Sequence, residues 1–158
     1  MSRAPLTITE TDRMPALIAE LTAMQVGVVT VGFHADDKAR DGSTNAEIAA
    51  CHEFGTDTIP RRPFLGPALD KGKAVLGDAQ AKLVGQVLDG SMRAEQAFGH
   101  LGELGVLLVQ QEIRSGTDRE PLKPATIEAK GSSTPLIDTG EMLRAVSYEV
   151  DMSGGSRG

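Results

Sequence analysis

Pro60, Pro63 and Pro67 fall within eight residues of one another, shortly after Gly55. Each proline fixes its φ angle and removes an amide donor, so residues 56–67 can form neither a helix interior nor a central strand. They must run as an extended link between whatever lies on either side. Upstream, Thr44-Asn45-Ala46-Glu47 reads as a capping box, with the Thr44 hydroxyl and the Glu47 carboxylate serving each other's amides. Ile48, Ala49, Cys51, His52 and Phe54 continue it as a short helix that Gly55 stops. Downstream, Pro67 suits the first position of a helix over 68–88, with Leu69, Val75, Leu76, Leu83, Val84 and Leu88 as core candidates.

Asp89-Gly90-Ser91 breaks that helix, and residues 92–114 read as a second long one. Its apolar stripe is Phe98, Leu101, Leu104, Leu108, Val109 and Ile113, and Gly116 ends it. Gly99, Gly102 and Gly105 recur at every third position inside it. Each costs up to about 1 kcal/mol against alanine, so the spacing points to a closely packed or bent face, or to a subunit contact through the small side. A further helix over 9–24 rests on Leu17, Ile18, Leu21 and Met24, with Pro15 in its first turn. The β-branched run 26–33 is the clearest strand, and the alternation at 146–150 marks a second, half-buried one.

Between these lie a polar loop at 34–43 and a long irregular connection at 117–135 with one turn of helix at 124–129. Asp138 or Thr139 is placed to cap a short helix at 141–145. The reading is an α+β fold: a small, mainly antiparallel sheet packed on two long helices, with extended loops and arms. One domain should cover 1–151, and the Gly- and Ser-rich tail at 152–158 should be disordered.

Composition narrows the function. Sixteen basic residues against 22 acidic ones give a net charge of −6, the wrong sign for a free nucleic-acid-binding domain. A single cysteine excludes an internal disulfide framework or a cysteine-cluster zinc site, and suits a reducing compartment. Residues 1–5 lack the pattern of a secretory leader, and no run of about 18 apolar residues appears. With no Trp and 3% aromatics, the core should be aliphatic.

Candidate chemistry is thin. Cys51-His52-Glu53 sets a thiol, an imidazole and a carboxylate in a row, but adjacent helical residues point about 100° apart. A thiol-dependent enzyme would pair Cys51 with His52 or with His100. His34 with Asp36 and Asp37 is too small a set for a hard-cation site. The stretch 66–73 resembles a phosphate loop only superficially, since five residues separate its glycines and Ala74 stands where a hydroxyl is needed. Arg61, Arg62, Lys71 and Lys73 form the one basic concentration, which suits a solvated or carboxylate-paired face, or a subunit or phosphate contact. No catalytic, cofactor-binding or metal-ligating residue is assigned. Two alternatives stay open: a small cytosolic enzyme using Cys51, and a DNA-contacting packaging accessory.

Two stretches carry a likeness. The first is His52-Glu53-Phe54-Gly55-Thr56 followed by Ile59-Pro60-Arg61-Arg62-Pro63-Phe64-Leu65. The second is Pro121-Leu122-Lys123-Pro124-Ala125-Thr126, then Pro135-Leu136-Ile137-Asp138-Thr139-Gly140-Glu141-Met142-Leu143. Together they resemble tailed-phage virion morphogenesis proteins, including Mu-type tail-completion and related neck proteins. The pattern spans about residues 44–150, with Glu120 standing where an aromatic often precedes the Pro-Leu element. The resemblance implies a non-enzymatic virion protein at the head–tail junction, assembled in the host cytoplasm. It would form or cap a homo-oligomeric ring, hexameric or dodecameric. Its neighbours would be the tail tube or tail terminator and the head connector, with DNA passing through unread and no membrane involved. Glu53, Phe54, Arg61, Arg62, Phe64, Leu65, Asp138 and Thr139, with the 116–135 loop, are the expected subunit or partner contacts.

Overall fold

The structure is a computed structural model and describes residues 13–34, 42–115 and 140–154. In chain order it forms α1 (Met14–Val26), β1 (Val28–Gly32), α2 (Asn45–Phe54), α3 (Leu65–Asp89), α4 (Ala94–Ser115), α5 (Glu141–Ala145) and β2 (Ser147–Asp151). The fold is α+β, with the antiparallel pair β1–β2 resting on the α3–α4 helix pair, chiefly on α4. The register runs from Val28 opposite Asp151 to Gly32 opposite Ser147. Val29, Val31, Tyr148 and Val150 therefore share one face, while Thr30 and Glu149 share the other and stay exposed.

A two-stranded sheet is marginal by itself, so its stability comes from what it lies on. The glycines of α4 provide that seat. A Cβ on Gly102 would run into the Tyr148 ring, and one on Gly105 would come within 2.7 Å of the Val31 side chain. The close-packing reading of the three-residue glycine spacing thus holds, and this face is filled by the chain's own sheet. Gly72 plays the same part between the long helices, where a Cβ would stand 2.5 Å from Leu108.

Small contact residues change the core from the one read in the sequence. On α3 the buried positions are Ala68, Gly72 and Val87, while Leu69, Val75 and Leu88 are about half exposed. When two helices meet through small residues, the larger ones are left at the flanks of the seam. On α4, Val109 and Ile113 have no exposure at all, as expected of its stripe. Ile18 on α1 also turns outward. Nor is the core purely aliphatic: Phe64 is fully buried and meets Phe33 edge to face at 5.8 Å.

Element ends shift for local reasons. Pro15 sits in the first turn of α1 as expected. Pro67 stands two residues inside α3 rather than at its start, because the helix begins at Leu65. The residue at the N-cap of α5 is Gly140, at φ 74°, and not Asp138 or Thr139, which lie outside the described residues. So do 116–139, 35–41 and 155–158.

A paired substitution tests the seat of the sheet. Gly102→Ala should lower stability by about 1–3 kcal/mol through overpacking against Tyr148. Gly77→Ala, where a Cβ meets nothing within 4 Å, should raise it by up to about 1 kcal/mol through helix propensity. Urea unfolding of both variants reads the opposite signs.

Candidate functional site: the arm between α2 and α3

On α2, Asn45, Ala49 and Glu53 recur at four-residue steps and form the buried face. The predicted capping box is present, with Glu47 N donating to Thr44 Oγ1 at 3.1 Å and Thr44 N donating to Glu47 Oε2 at 2.8 Å. At the other end Gly55 adopts φ 77°, and a Cβ there would stand 3.2 Å from the Arg61 backbone. The chain then doubles back. Thr56 Oγ1 accepts from Thr58 N and Ile59 N, and Thr56 N donates to Ile59 O, which closes a tight turn.

The return strand of the arm satisfies the carbonyl end of α2. Arg62 N donates to His52 O at 2.7 Å, and Arg61 Nε donates to Glu53 O at 3.0 Å. A guanidinium at the C-terminal end of a helix also meets the negative end of its dipole.

The Glu53 side chain satisfies the amide end of α3. Phe64 N and Leu65 N donate to Oε2 at 2.7 and 3.0 Å, and Gly66 N donates to Oε1 at 3.1 Å. Pro67 has no amide to offer, and Ala68 N already bonds Phe64 O within the helix. Every free amide of this helix start therefore goes to one carboxylate eleven or more residues upstream. Glu53 is 8% exposed, so the charge is taken out of water and returned to three donors and a positive dipole end.

These facts sort the expected contact residues. Phe64 has no exposed surface and Glu53 almost none, so both act inside the fold and offer nothing to a partner. Arg61 is exposed but spends its Nε on the arm itself. Arg62 and Leu65 are half-buried, and among the described residues the Arg62 Nε has no acceptor. Phe54 is 76% exposed, the most of any large apolar residue described. It follows the buried Glu53 by one position, and that offset of about 100° turns it out of the core. The arm presents Phe54, Thr56, Asp57, Thr58, Pro60 and Arg61 to solvent.

The other candidates sit elsewhere. Cys51 is a half-buried free thiol. His100 Nδ1 lies 3.5 Å from a Glu103 carboxylate oxygen on the exposed side of α4. His34 bonds Glu149 across the strand ends at 2.9 Å, while Asp36 and Asp37 lie outside the described residues. Lys71 reaches both oxygens of the buried Glu112 at 3.1 Å, so one member of the basic concentration has a structural job. Among the described residues no three His, Cys, Asp or Glu side chains are grouped to hold a metal ion, and no helix is long and apolar enough to cross a membrane.

The role of Glu53 was not read from the sequence, although a signal existed. The start of α3 is Arg62-Pro63-Phe64-Leu65, with no Ser, Thr, Asp or Asn to cap it. A helix start without a local cap calls for an acceptor from elsewhere. Comparison with protein-family models, with curated proteins and with solved structures finds no match to this chain.

Glu53→Gln should cost about 2–4 kcal/mol, because an amide keeps one acceptor oxygen and turns a donor toward the remaining amides. Urea unfolding measures the loss. Hydrogen exchange at residues 64–66 should rise more than at the centre of α4; equal rises would show that the carboxylate does not hold this helix start.

Proposed function

We propose that this chain is a structural virion protein of a tailed phage, acting at the head–tail junction as a tail-completion or neck protein. It forms or caps a ring, hexameric or dodecameric, between the tail tube or terminator and the head connector. The observation that carries the reading is the arm. The stretch that bears the likeness, His52 to Leu65, is a self-bonded unit that holds Phe54 in solvent on a rigid base.

The chemistry suits docking. An apolar ring fixed in place by its backbone loses little freedom when it inserts into a neighbour, and an exposed aromatic is a common anchor of protein contacts. Arg61 and Pro60 beside it supply a polar and a stiff rim. Ring contacts are heterologous, so a knob on one copy needs a different surface on the next. The net charge of −6 would line such a ring with an acidic potential that lets DNA pass without being held.

Phe54→Asp separates docking from folding, since the side chain it replaces is exposed. Phage carrying it should give filled heads and finished tails that stay apart in negative stain. The purified variant should unfold at the wild-type urea midpoint. Normally joined particles from that variant, or from a deletion of the gene, would overturn the role. Arg61→Glu is the less clean probe, because Arg61 also closes the arm.

A further inference from the structure

Among the described residues the cavities differ in what lines them. The hollow over Ala68 and Gly72 is spanned by the Lys71–Glu112 ion pair at 3.1 Å, so its charges are already matched. Another cavity, of about 360 Å³, lies past the end of α3, between α1 and the corner where α3 turns into α4. Its walls are Ala16, Leu17, Val87, Leu88 and Met92, and Leu88 is 48% exposed. Met92 adds an unbranched side chain that adapts its shape to whatever enters.

Opposite charges stand at the rim. Arg93, just before α4, and Asp89, at the end of α3, are both exposed. Hydrogen bonds from Ser91 hold the Asp89 carboxyl below the usual carboxylate range. The two other rim charges are engaged inside the chain. Glu20 Oε2 accepts the Ala94 amide at 2.6 Å, and Arg13 donates to the Asp89 carbonyl at 3.2 Å.

The arm presents the counterpart. Phe54, 76% exposed, shares its exposed surface with one acid, Asp57, and one base, Arg61. Distance separates the two features. The arm is bonded to the start of α3 through Glu53, and the cavity lies past the other end of that helix. Twenty-five residues at 1.5 Å each make about 37 Å. Phe54 therefore cannot reach the cavity of its own chain.

We propose that Phe54 of one copy inserts into the cavity walled by Leu17, Leu88 and Met92 on a second copy, with Asp57 facing Arg93 and Arg61 facing Asp89. Charge complementarity selects this occupant. One acid and one base on the knob meet one base and one acid at the rim, so two chains of net charge −6 meet without like charges opposed. A knob and a socket on different surfaces make a heterologous contact, which repeats from copy to copy until it closes. The inference rests on the ring reading of the arm and names the surface that receives Phe54.

The test uses the purified full chain. An aromatic side chain buries about 150–250 Å², less than the roughly 800 Å² per partner of a standard interface, so assembly should grow with concentration. In sedimentation the wild type should gain mass up to about 200 μM. Phe54→Asp and Leu88→Glu should each stay monomeric. Mixed one to one they should form a dimer and nothing larger, because the mixture holds one working knob and one working socket. Arg93→Asp should also lose the mass gain, and adding Asp57→Arg should restore it. Residue 93 precedes α4, where aspartate suits a helix start, so this pair keeps the test intact even where Leu88→Glu disturbs the fold. In a Cys51→Ser background, Asp57→Cys mixed with Arg93→Cys should join by a disulfide on oxidation, while Asp57→Cys mixed with Asp78→Cys should not. A monomeric wild type, a mixture that stays monomeric or a charge swap that restores nothing would each overturn the contact. Phe54→Asp particles that fail to join, beside a monomeric wild type, would give Phe54 a foreign receptor and overturn this contact alone. Normally joined particles, beside the expected mixed dimer, would overturn the head–tail role alone.

Discussion

One carboxylate organises the middle of this molecule. Glu53 ends α2 and begins α3, because its backbone carbonyl takes the Arg61 guanidinium and its side chain takes three amides. Burying a charge is costly unless it is fully hydrogen-bonded. Here three donors and a helix dipole offset that cost, and the result is directional. The carboxylate can reach residues 64–66 only if the arm folds back, and the arm folds back only because Gly55 turns it. Phe64 then enters the core against Phe33 at one fixed place. Remove the carboxylate and α3 loses its start, the core loses the registration of its largest buried ring, and the arm loses its base.

The same device recurs on a smaller scale. Glu20 of α1 caps α4, and Arg13 before α1 caps the carbonyl end of α3. The corner between α3 and α4 is thereby tied to α1 by two polar bonds from distant sequence. These caps explain how a fold with so few large buried side chains keeps its helices in place. The seams are made of Ala68, Gly72, Gly102 and Gly105. Small residues let backbones approach closely but provide little side-chain surface, so position is set by hydrogen bonds at the helix ends.

What the sequence made legible was whatever is decided locally. The capping box at Thr44 depends on four consecutive residues, and the close approach at Gly102 and Gly105 follows from the cost of glycine in a helix. The two strands were legible from composition and from alternation, while their direct pairing and register came only from the fold. The core of α3 was misread because large apolar residues were assumed to face inward. In fact the partner helix comes close enough that only Ala68, Gly72 and Val87 fit. At the candidate site, Phe54 was legible as an apolar residue beside a glycine stop. Glu53 and Phe64 were legible as a motif but not as internal partners, since a cap borrowed across eleven residues leaves no local pattern. Only the absence of a cap before Leu65 could have pointed to it.

The division of labour along this short chain follows from its charge. With six more acids than bases, apolar surface free of charge is scarce on this chain, and acids withdrawn into helix caps are what free it. Two acids are spent by the same means. At the arm, Glu53 is withdrawn into a helix cap and its neighbour Phe54 is left bare. On α1, Glu20 is withdrawn into a helix cap and Ile18 is left bare. In each case one acid both fixes a helix start and clears charge from the apolar surface beside it. Folding and the exposure of that apolar surface are then one event, because each cap forms only when its helix start is in place.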